Sequence, residues 1–144
     1  MKKSVVIVVL SFVCVFAMSA DDGLWTVSGT VSFKEEGTVY LSILTQEGFE
    51  DDYRYLKGVI IPIGPEELKS GNVEFEFTDI PDGTYALSAY LDQNGNGKMD
   101  MGFLGPKEPW GNYRYARPRT RGPKWEEVAF AVDKNLENID IAIE

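Results

Sequence analysis

Residues 25–33 read Trp-Thr-Val-Ser-Gly-Thr-Val-Ser-Phe, so every odd position is apolar or glycine and every even position is Thr or Ser. Because side chains alternate between the two faces of a strand, this pattern predicts a β-strand with one buried and one hydrated face. Val39, Leu41 and Ile43 repeat the alternation after a short polar turn. The two segments therefore predict neighbouring strands joined as a hairpin.

Five further segments have the length and composition of strands. They cover residues 59–63, 73–77, 85–91, 125–132 and 139–143, and Pro62 favours a sheet edge for the first of them. Residues 66–69 predict one helical turn, whereas residues 45–57 and 101–124 are expected to be loops. Seven short strands without a long helix predict an all-β fold, a seven-stranded Greek-key β-sandwich.

The turn before the fifth predicted strand reads Pro81-Asp82-Gly83. Proline presets one backbone angle of a tight turn and glycine accepts a positive φ. We expect Tyr85, just beyond the turn, to anchor this corner through a bond from its hydroxyl to the backbone, and not to contact a ligand.

The first twenty residues have the pattern of an export signal. Lys2 and Lys3 precede a short apolar run, which ends in small residues before Asp21. This order predicts a secretory signal peptide over residues 1–20, cleaved after Ala20 or Ser19, and a single β-sandwich domain over residues 21–144 in the periplasm or outside the cell. The competing interpretation is an uncleaved membrane anchor, which the short apolar run disfavours. Cleavage would remove the only cysteine, Cys14, and leave no membrane span.

Composition excludes several classes of function. The 144 residues include no His, which removes His-dependent triads, His-ligated zinc and imidazole pH switches. The formal net charge of −9 opposes binding to nucleic acid. The chain is therefore expected to have neither a nucleic-acid partner nor familiar His-based catalysis.

Residues 75–87 contain Phe75, Phe77, Ile80-Pro81, Gly83, Tyr85 and Leu87 in the order Phe-x-Phe-x-x-Ile-Pro-x-Gly-x-Tyr-x-Leu. This order resembles the strand-corner-strand signature of transthyretin-like, or carboxypeptidase-regulatory-like, sandwiches. With the following Asp-x-Asn-Gly-Asn-Gly-Lys-x-Asp segment at residues 92–100, Phe103-Leu104-Gly105 and residues 125–130, the chain resembles the exported bacterial family catalogued as domain of unknown function 2141. That resemblance implies an immunoglobulin-like fold and a secreted location, and it implies no activity.

The 92–100 loop, Asp-Gln-Asn-Gly-Asn-Gly-Lys-Met-Asp, has the spacing of an EF-hand calcium loop over its first nine positions. Oxygen-bearing side chains occupy relative positions 1, 3, 5 and 9, glycine occupies position 6, and a backbone carbonyl is available at position 7. The candidate calcium ligands are Asp92, Asn94, Asn96, Lys98 (through its carbonyl) and Asp100.

Position 12 of this loop would be Phe103 where an EF-hand has a bidentate Glu, so Asp100 or a more distant carboxylate such as Glu108 would have to supply the missing oxygens. A plain Asn-Gly turn without an ion explains the same glycines. Both interpretations stay open at this point.

Four of the five arginines lie close together in the segment of residues 110–121, where aromatic side chains alternate with them. One interpretation is a recognition surface for a glycan or an anion, with aromatic faces for stacking and guanidinium groups for bidentate contacts. The other is that the arginines bind the protein's own carboxylates, such as Glu126 and Glu127. The candidate ligand-binding residues are Trp110, Tyr113, Arg114, Tyr115, Arg117, Arg119 and Arg121.

These observations predict an exported, non-catalytic binding or structural module, with calcium as the candidate cofactor. The alternative is a carbohydrate- or anion-binding accessory domain, whose partner would be a glycan or another cell-envelope component. A small hydrolase built on carboxylates is a third hypothesis. Adjacent acid pairs such as Glu126-Glu127 give it little support, because neighbouring strand residues point to opposite faces.

Overall fold

The computed structural model describes residues 23–51, 54–115 and 121–144. Its strands are β1 (Leu24–Ser32), β2 (Gly37–Leu44), β3 (Lys57–Ile63), β4 (Asn72–Pro81), β5 (Gly83–Asp92), β6 (Met101–Gly102), β7 (Gly105–Pro106), β8 (Trp110–Asn112), β9 (Phe130–Val132) and β10 (Leu136–Ala142). Three short helices are α1 (Gln46–Glu50), α2 (Pro65–Ser70) and α3 (Trp125–Val128). None of these described helices has both the length and the apolar character needed to cross a bilayer. The predicted signal peptide lies outside the described residues.

Two main sheets build the fold. The first has the strand order β10-β1-β4, with β1 antiparallel to β4 and parallel to β10. The second has the order β3-β2-β5-β8, and β9 pairs with the first residues of β5 beside β8. All pairs of the second sheet are antiparallel. The described residues are therefore mostly β, as the sequence predicts.

One hydrophobic core lies between the two sheets. Val27 and Val31 of β1 and Phe77 of β4 contribute from the first sheet, and Leu41 and Leu87 contribute from the second. These residues occupy the odd positions of the alternating patterns, so the pattern correctly identifies the buried face. A smaller buried cluster, which includes Leu44 and Val128, lies beneath α1 and α3.

The tyrosine at the strand corner behaves as predicted. The Tyr85 hydroxyl donates a hydrogen bond to the carbonyl oxygen of Pro81 at 3.0 Å, and the side chain is buried. Burial, reinforced by the nearby charge of Asp82, raises the pKa of the hydroxyl above its ordinary value. The bond therefore stays in place across the physiological pH range.

The seven predicted strands correspond to β1 to β5, β9 and β10, and the predicted helical turn lies inside α2. The loop predicted over residues 101–124 is wrong in its first half, where β6, β7 and β8 form. Strands of two or three residues that contain Gly and Pro have no alternation to detect.

Two other predictions fail because helices form where none was expected. The predicted loop at residues 45–57 contains α1, whose first turn is capped by the Thr45 hydroxyl oxygen accepting from the Gly48 N–H at 3.3 Å. The expected strand start at Trp125 is the helix α3, whose first turn is fixed by the Glu127 carboxylate accepting from the Lys124 N–H at 2.9 Å.

A close approach of backbones joins the two sheets at one edge. Trp110 and Glu144 exchange backbone hydrogen bonds of 3.3 Å in both directions. A Cβ atom at Gly111 would lie 1.9 Å from the carbonyl oxygen of Ala142. Only glycine fits at this crossing, which brings β8 and the segment of the candidate ligand-binding residues next to β10.

Candidate functional site

The 92–100 loop begins at the buried end of β5. Asp92 is the last residue of that strand and is 2% exposed. Its Oδ1 accepts the Gly95 N–H at 2.8 Å, and its Oδ2 accepts the Gly97 N–H at 2.7 Å. Both glycines have a positive φ, 74° and 71°, which suits residues without a Cβ. The Asp92 carboxylate therefore organises the turn around itself.

The electrostatics of Asp92 keep it ionised. Burial alone would raise its pKa, but hydrogen bonds from the backbone N–H groups of Gly97, Gly95, Asn96 and Asn94 outweigh that effect. The net result is a pKa below the ordinary value of an aspartate. The loop thus holds a buried negative charge at neutral pH.

The next oxygen-bearing side chains of the loop converge on Asp100. The side-chain amide of Asn94 donates to Asp100 Oδ2 at 2.5 Å, and that of Asn96 donates to both Asp100 oxygens at 3.1 Å. The amide oxygens take part in local turns, because Asn94 Oδ1 accepts the Asn96 N–H at 3.0 Å and Asn96 Oδ1 accepts the Lys98 N–H at 2.9 Å. The structure therefore brings the side chains of Asn94, Asn96 and Asp100 together.

A carboxylate from beyond the loop holds both of its ends. Glu108 is 5% exposed and lies between β7 and β8. Its Oε1 accepts the Gln93 N–H at 3.2 Å, and its Oε2 accepts the Asp100 N–H at 3.0 Å. Phe103, at the position of the missing EF-hand glutamate, is fully exposed and cannot replace it.

The acidic content of this loop is modest. In residues 23–51, 54–115 and 121–144, no group of three or more His, Cys, Asp or Glu side chains is arranged to hold a metal ion. The loop contributes two carboxylates of its own, Asp92 and Asp100, and the remaining candidate donors are the amide oxygens of Asn94 and Asn96 and the backbone carbonyl of Lys98.

The aromatic residues of the 110–121 segment do not form one exposed row. Trp110 is 8% exposed and stacks on Tyr115, with ring centroids 6.1 Å apart and an interplanar angle of 23°. Tyr113 packs against the main core and meets Phe130 edge-on at 5.2 Å. Tyr113 therefore contributes to packing, and Trp110 and Tyr115 form the aromatic pair of this segment.

The arginines of the same segment have different surroundings. Arg121 binds both oxygens of Glu127, at 2.7 and 2.6 Å, which is the internal pairing that the second interpretation expects. This hydrogen bonding lowers the pKa of Glu127 to about 2. Arg114 is exposed and has a left-handed backbone φ of 65°. Arg117 and Arg119 lie outside the described residues.

A cavity of about 400 Å³ lies beside Trp110 and Tyr115. Arg114 lines it together with the acidic residues Asp140 and Glu144. One cationic side chain among two carboxylates offers little net attraction to an anion. The lining of this cavity therefore supports the anion-binding interpretation less than the spacing of the arginines in the sequence does.

A second, larger groove, which was not predicted from the sequence, lies on the outer face of the β3-β2-β5-β8 sheet. The groove has a volume of about 1310 Å³, and Tyr40, Ser42, Ser88 and Tyr90 lie along it. These residues occupy the even positions of β2 and β5, between the apolar residues that mark the core face. The alternation in the sequence assigns these residues to the outer face of the sheet. It does not show that they lie next to one another, because that depends on the register of the strands.

The two packed sheets and the oxygen-rich loop define the class of this protein, an all-β protein with one polar loop fixed by buried carboxylates. The chain belongs to the bacterial family DUF2141, described as "Uncharacterized protein conserved in bacteria", whose family model matches residues 28–140. The match covers both main sheets and the 92–100 loop. Neither a curated protein nor a solved structure matches the chain significantly.

Proposed function

We propose that the chain is an exported, non-catalytic module whose 92–100 loop binds calcium, built on an immunoglobulin-like, transthyretin-like Greek-key β-sandwich. The observation that supports the calcium site is the bridge made by Glu108, which holds the Gln93 and Asp100 N–H groups with its two oxygens. This bridge fixes both ends of a loop whose first nine positions have the spacing of a calcium loop.

The ligand set of the proposed site contains only oxygen. Asp92, Asn94, Asn96 and Asp100 contribute side-chain oxygens, and Lys98 contributes its carbonyl. The amide oxygens of Asn94 and Asn96, and Oδ1 of Asp100, each accept one N–H and so keep a second lone pair for a cation. Calcium takes six to eight oxygen ligands with flexible geometry, and oxygen donors suit it better than they suit a transition metal. With two amide ligands, we expect a dissociation constant of about 10⁻⁴–10⁻³ M.

Calorimetric titration of the purified protein with CaCl₂, paired with thermal melting in CaCl₂ and in EGTA, tests this site. We expect a saturable binding heat and a melting temperature that rises with calcium and falls again with EGTA. Asp100→Asn removes a charged ligand and should abolish both effects. Asp133→Asn makes the same change of charge at an exposed position outside the loop and should leave both intact. A wild-type protein without binding heat and with an unchanged melting temperature favours the bare Asn-Gly turn.

Export and the non-catalytic role are part of the same proposal. A basic start, an apolar run and small residues at positions 1–20 support export to the periplasm or the cell exterior. The absence of His and of a nucleophile motif in the sequence favours a binding or structural role over the carboxylate-based hydrolase. The partner consistent with an exported location is a glycan or another component of the cell envelope.

The stack of Trp110 on Tyr115 beside the 400 Å³ cavity favours the second candidate function, recognition of a carbohydrate or an anion by the 110–121 segment. In the described part of that segment Arg114 and Arg121 are both exposed, and Arg121 is paired with Glu127. Arg114 is therefore the cationic side chain to test. Replacing Arg114 with Ala should weaken binding of a sulfated or uronic-acid oligosaccharide. Unchanged binding would contradict this second function.

A further inference from the structure

The outer face of the β3-β2-β5-β8 sheet carries two parallel rows of side chains. Tyr40 on β2 lies opposite Tyr90 on β5, and Tyr90 lies opposite Trp110 on β8. Two positions along the strands, Ser42 lies opposite Ser88, and Ser88 lies opposite Asn112. An aromatic row therefore runs across three strands beside a row of small polar groups.

Tyrosine rings lie along this groove at two places. The rings of Tyr40 and Tyr90 stack on each other, with centroids 5.0 Å apart and an interplanar angle of 8°. The ring of Tyr55 lies against Gly58, where an added Cβ would come within 3.3 Å of two ring carbons. Tyr55 is 63% exposed and lines the same groove. The groove thus offers one exposed aromatic ring at its β3 side and a stacked pair near its centre.

The polar row offers hydrogen-bonding groups to a ligand. Within the described part of the chain, the hydroxyl groups of Ser42 and Ser88 make no hydrogen bond. Each hydroxyl can donate one hydrogen bond and accept others. Asn112 donates one side-chain N–H to the carbonyl of Leu87 at 3.3 Å, and its oxygen can accept a further bond.

The floor of the groove is uncharged although the chain carries a formal net charge of −9. Neither row contains a charged residue. The outer face of the β10-β1-β4 sheet differs, because Glu74, Glu76 and Asp140 are exposed there. At the groove's rim the described charged residues are Arg121, which is paired with Glu127, and Glu144. Burying an unpaired charge on a neutral floor is costly, so the groove favours a neutral ligand.

We propose that this groove binds a neutral oligosaccharide. A sugar ring has an apolar C–H surface that packs on aromatic side chains, and a rim of hydroxyls that bonds to Ser and Asn groups. The two rows present these two kinds of contact side by side. An extended peptide would instead pair with a sheet edge, and its main-chain bonds would not be met on the face of the sheet. The site goes beyond the calcium loop: residues of β2, β3, β5 and β8 line the groove, and Gly97 and Met99 of the loop line it together with Met101 and Leu104. The binding test is therefore run both with and without calcium.

Binding of defined hexasaccharides to the purified protein tests the proposal. The probes are the neutral hexasaccharides of β-1,4-glucose, β-1,4-xylose, α-1,4-glucose and β-1,4-N-acetylglucosamine, with an oligogalacturonate as the acidic probe. Each is measured by titration calorimetry at probe concentrations up to 10 mM, once in CaCl₂ and once in EGTA. We expect at least one neutral probe to bind in both solutions. Any binding of the acidic probe should be lost in Arg114→Ala and retained in Ser88→Ala.

Variants locate the site and separate it from the arginine segment. Ser88→Ala should lower the affinity for the neutral probe by roughly threefold to tenfold, which is the range expected for one lost hydrogen bond. Tyr55→Ala should lower the same affinity by about tenfold, because an exposed aromatic contact is lost. Ser28→Ala makes the matched change on the outer face of the opposite sheet and should leave affinity unchanged. Unchanged thermal melting of each variant shows that the fold is retained.

Three outcomes overturn the proposal. They are no binding of any neutral probe at 10 mM, binding that both Tyr55→Ala and Ser88→Ala leave intact, and binding of the acidic probe alone that Arg114→Ala removes. Failure of the calcium proposal gives a different result. In that case titration with CaCl₂ gives no binding heat, while the neutral oligosaccharide still binds.

Discussion

Glu108 holds the backbone N–H of Asp100 at 3.0 Å across the 92–100 loop, while its other carboxylate oxygen holds that of Gln93 at 3.2 Å. A buried carboxylate thus spans both ends of a loop that Asp92 organises from inside. Since Glu108 is 5% exposed, the loss of either bond leaves a buried polar group without its partner.

Glu108→Gln is therefore expected to destabilise the protein in the absence of calcium. Glutamine has one acceptor oxygen where glutamate has two, so one of the two N–H groups loses its acceptor. We expect a decrease of about 1–3 kcal/mol in the free energy of unfolding, measured by urea denaturation. Glu137→Gln, at an exposed position of β10, should change it by less than about 0.5 kcal/mol. Equal stability of the two variants would show that the Glu108 bridge contributes nothing.

Calcium should stabilise the folded protein by mass action. At a dissociation constant of about 1 mM, 10 mM CaCl₂ adds roughly 1.4 kcal/mol to the free energy of unfolding. For a domain of this size, that gain corresponds to a melting temperature about 3–8 °C higher. Differential scanning calorimetry at constant ionic strength measures it, with MgCl₂ as the control. An equal rise in both salts would indicate a general ionic effect.

The sheet crossing at Gly111 should tolerate no side chain. A Cβ there would lie 1.9 Å from the Ala142 carbonyl oxygen, so Gly111→Ala must separate β8 from β10. We expect a loss of at least about 3 kcal/mol in the free energy of unfolding. Gly122→Ala is the control, because no atom lies within 4 Å of a Cβ built there. Similar unfolding midpoints for the two variants would contradict the close approach.

The pairing of Arg121 with Glu127 predicts a pH dependence at the acidic end. The pKa of Glu127 is lowered from 4.5 to about 2, first by the hydrogen bonds to Arg121 and then by the Lys124 N–H. A lowered folded-state pKa gives a contribution to stability that is complete above about 4.5 and is lost as the pH falls toward 2. Glu127→Gln should flatten the pH dependence of the melting temperature between pH 4.5 and pH 2.

The control for that titration is Glu126→Gln, the neighbouring exposed residue of the same helix. It should retain the pH dependence of the wild-type protein, because Arg121 binds Glu127 and not Glu126. Identical pH profiles for the two variants would show that the Arg121–Glu127 pair does not contribute to stability.

Export predicts a defined N-terminus. Mass spectrometry of the protein secreted by a bacterial host should show a chain that begins at Asp21 or Ala20, because cleavage follows the small residues at positions 19 and 20. A protein that retains Met1 and fractionates with membranes would support the uncleaved anchor.

The alternation of residues predicted the strands and the core face well, as in β1 and β5, because period two follows directly from strand geometry. It could not predict β8, whose three residues are placed by pairing with β5 and by the Gly111 crossing. Those contacts are distant in sequence. The position of Glu108 depends on the same fold, since β6 and β7 turn the chain back toward the 92–100 loop.

The spacing of the oxygen-bearing residues in that loop was visible in the sequence because it is local. The aromatic and hydroxyl rows were not, because they require the register that sets Tyr40 opposite Tyr90 and Ser42 opposite Ser88. The arginine spacing alone could not show that Arg121 pairs with Glu127, because that pairing follows from the placement of α3. Local motifs were therefore more predictable than surfaces assembled from several strands.

Amide NMR spectra recorded during a calcium titration would show directly whether the 92–100 loop binds calcium. We predict saturable shifts, with a midpoint of about 0.1–1 mM, concentrated on the amide signals of Gly95, Gly97, Asp100 and Glu108. Spectra that do not change with calcium would contradict this prediction, as would shifts centred on the acidic outer face around Glu74 and Glu76.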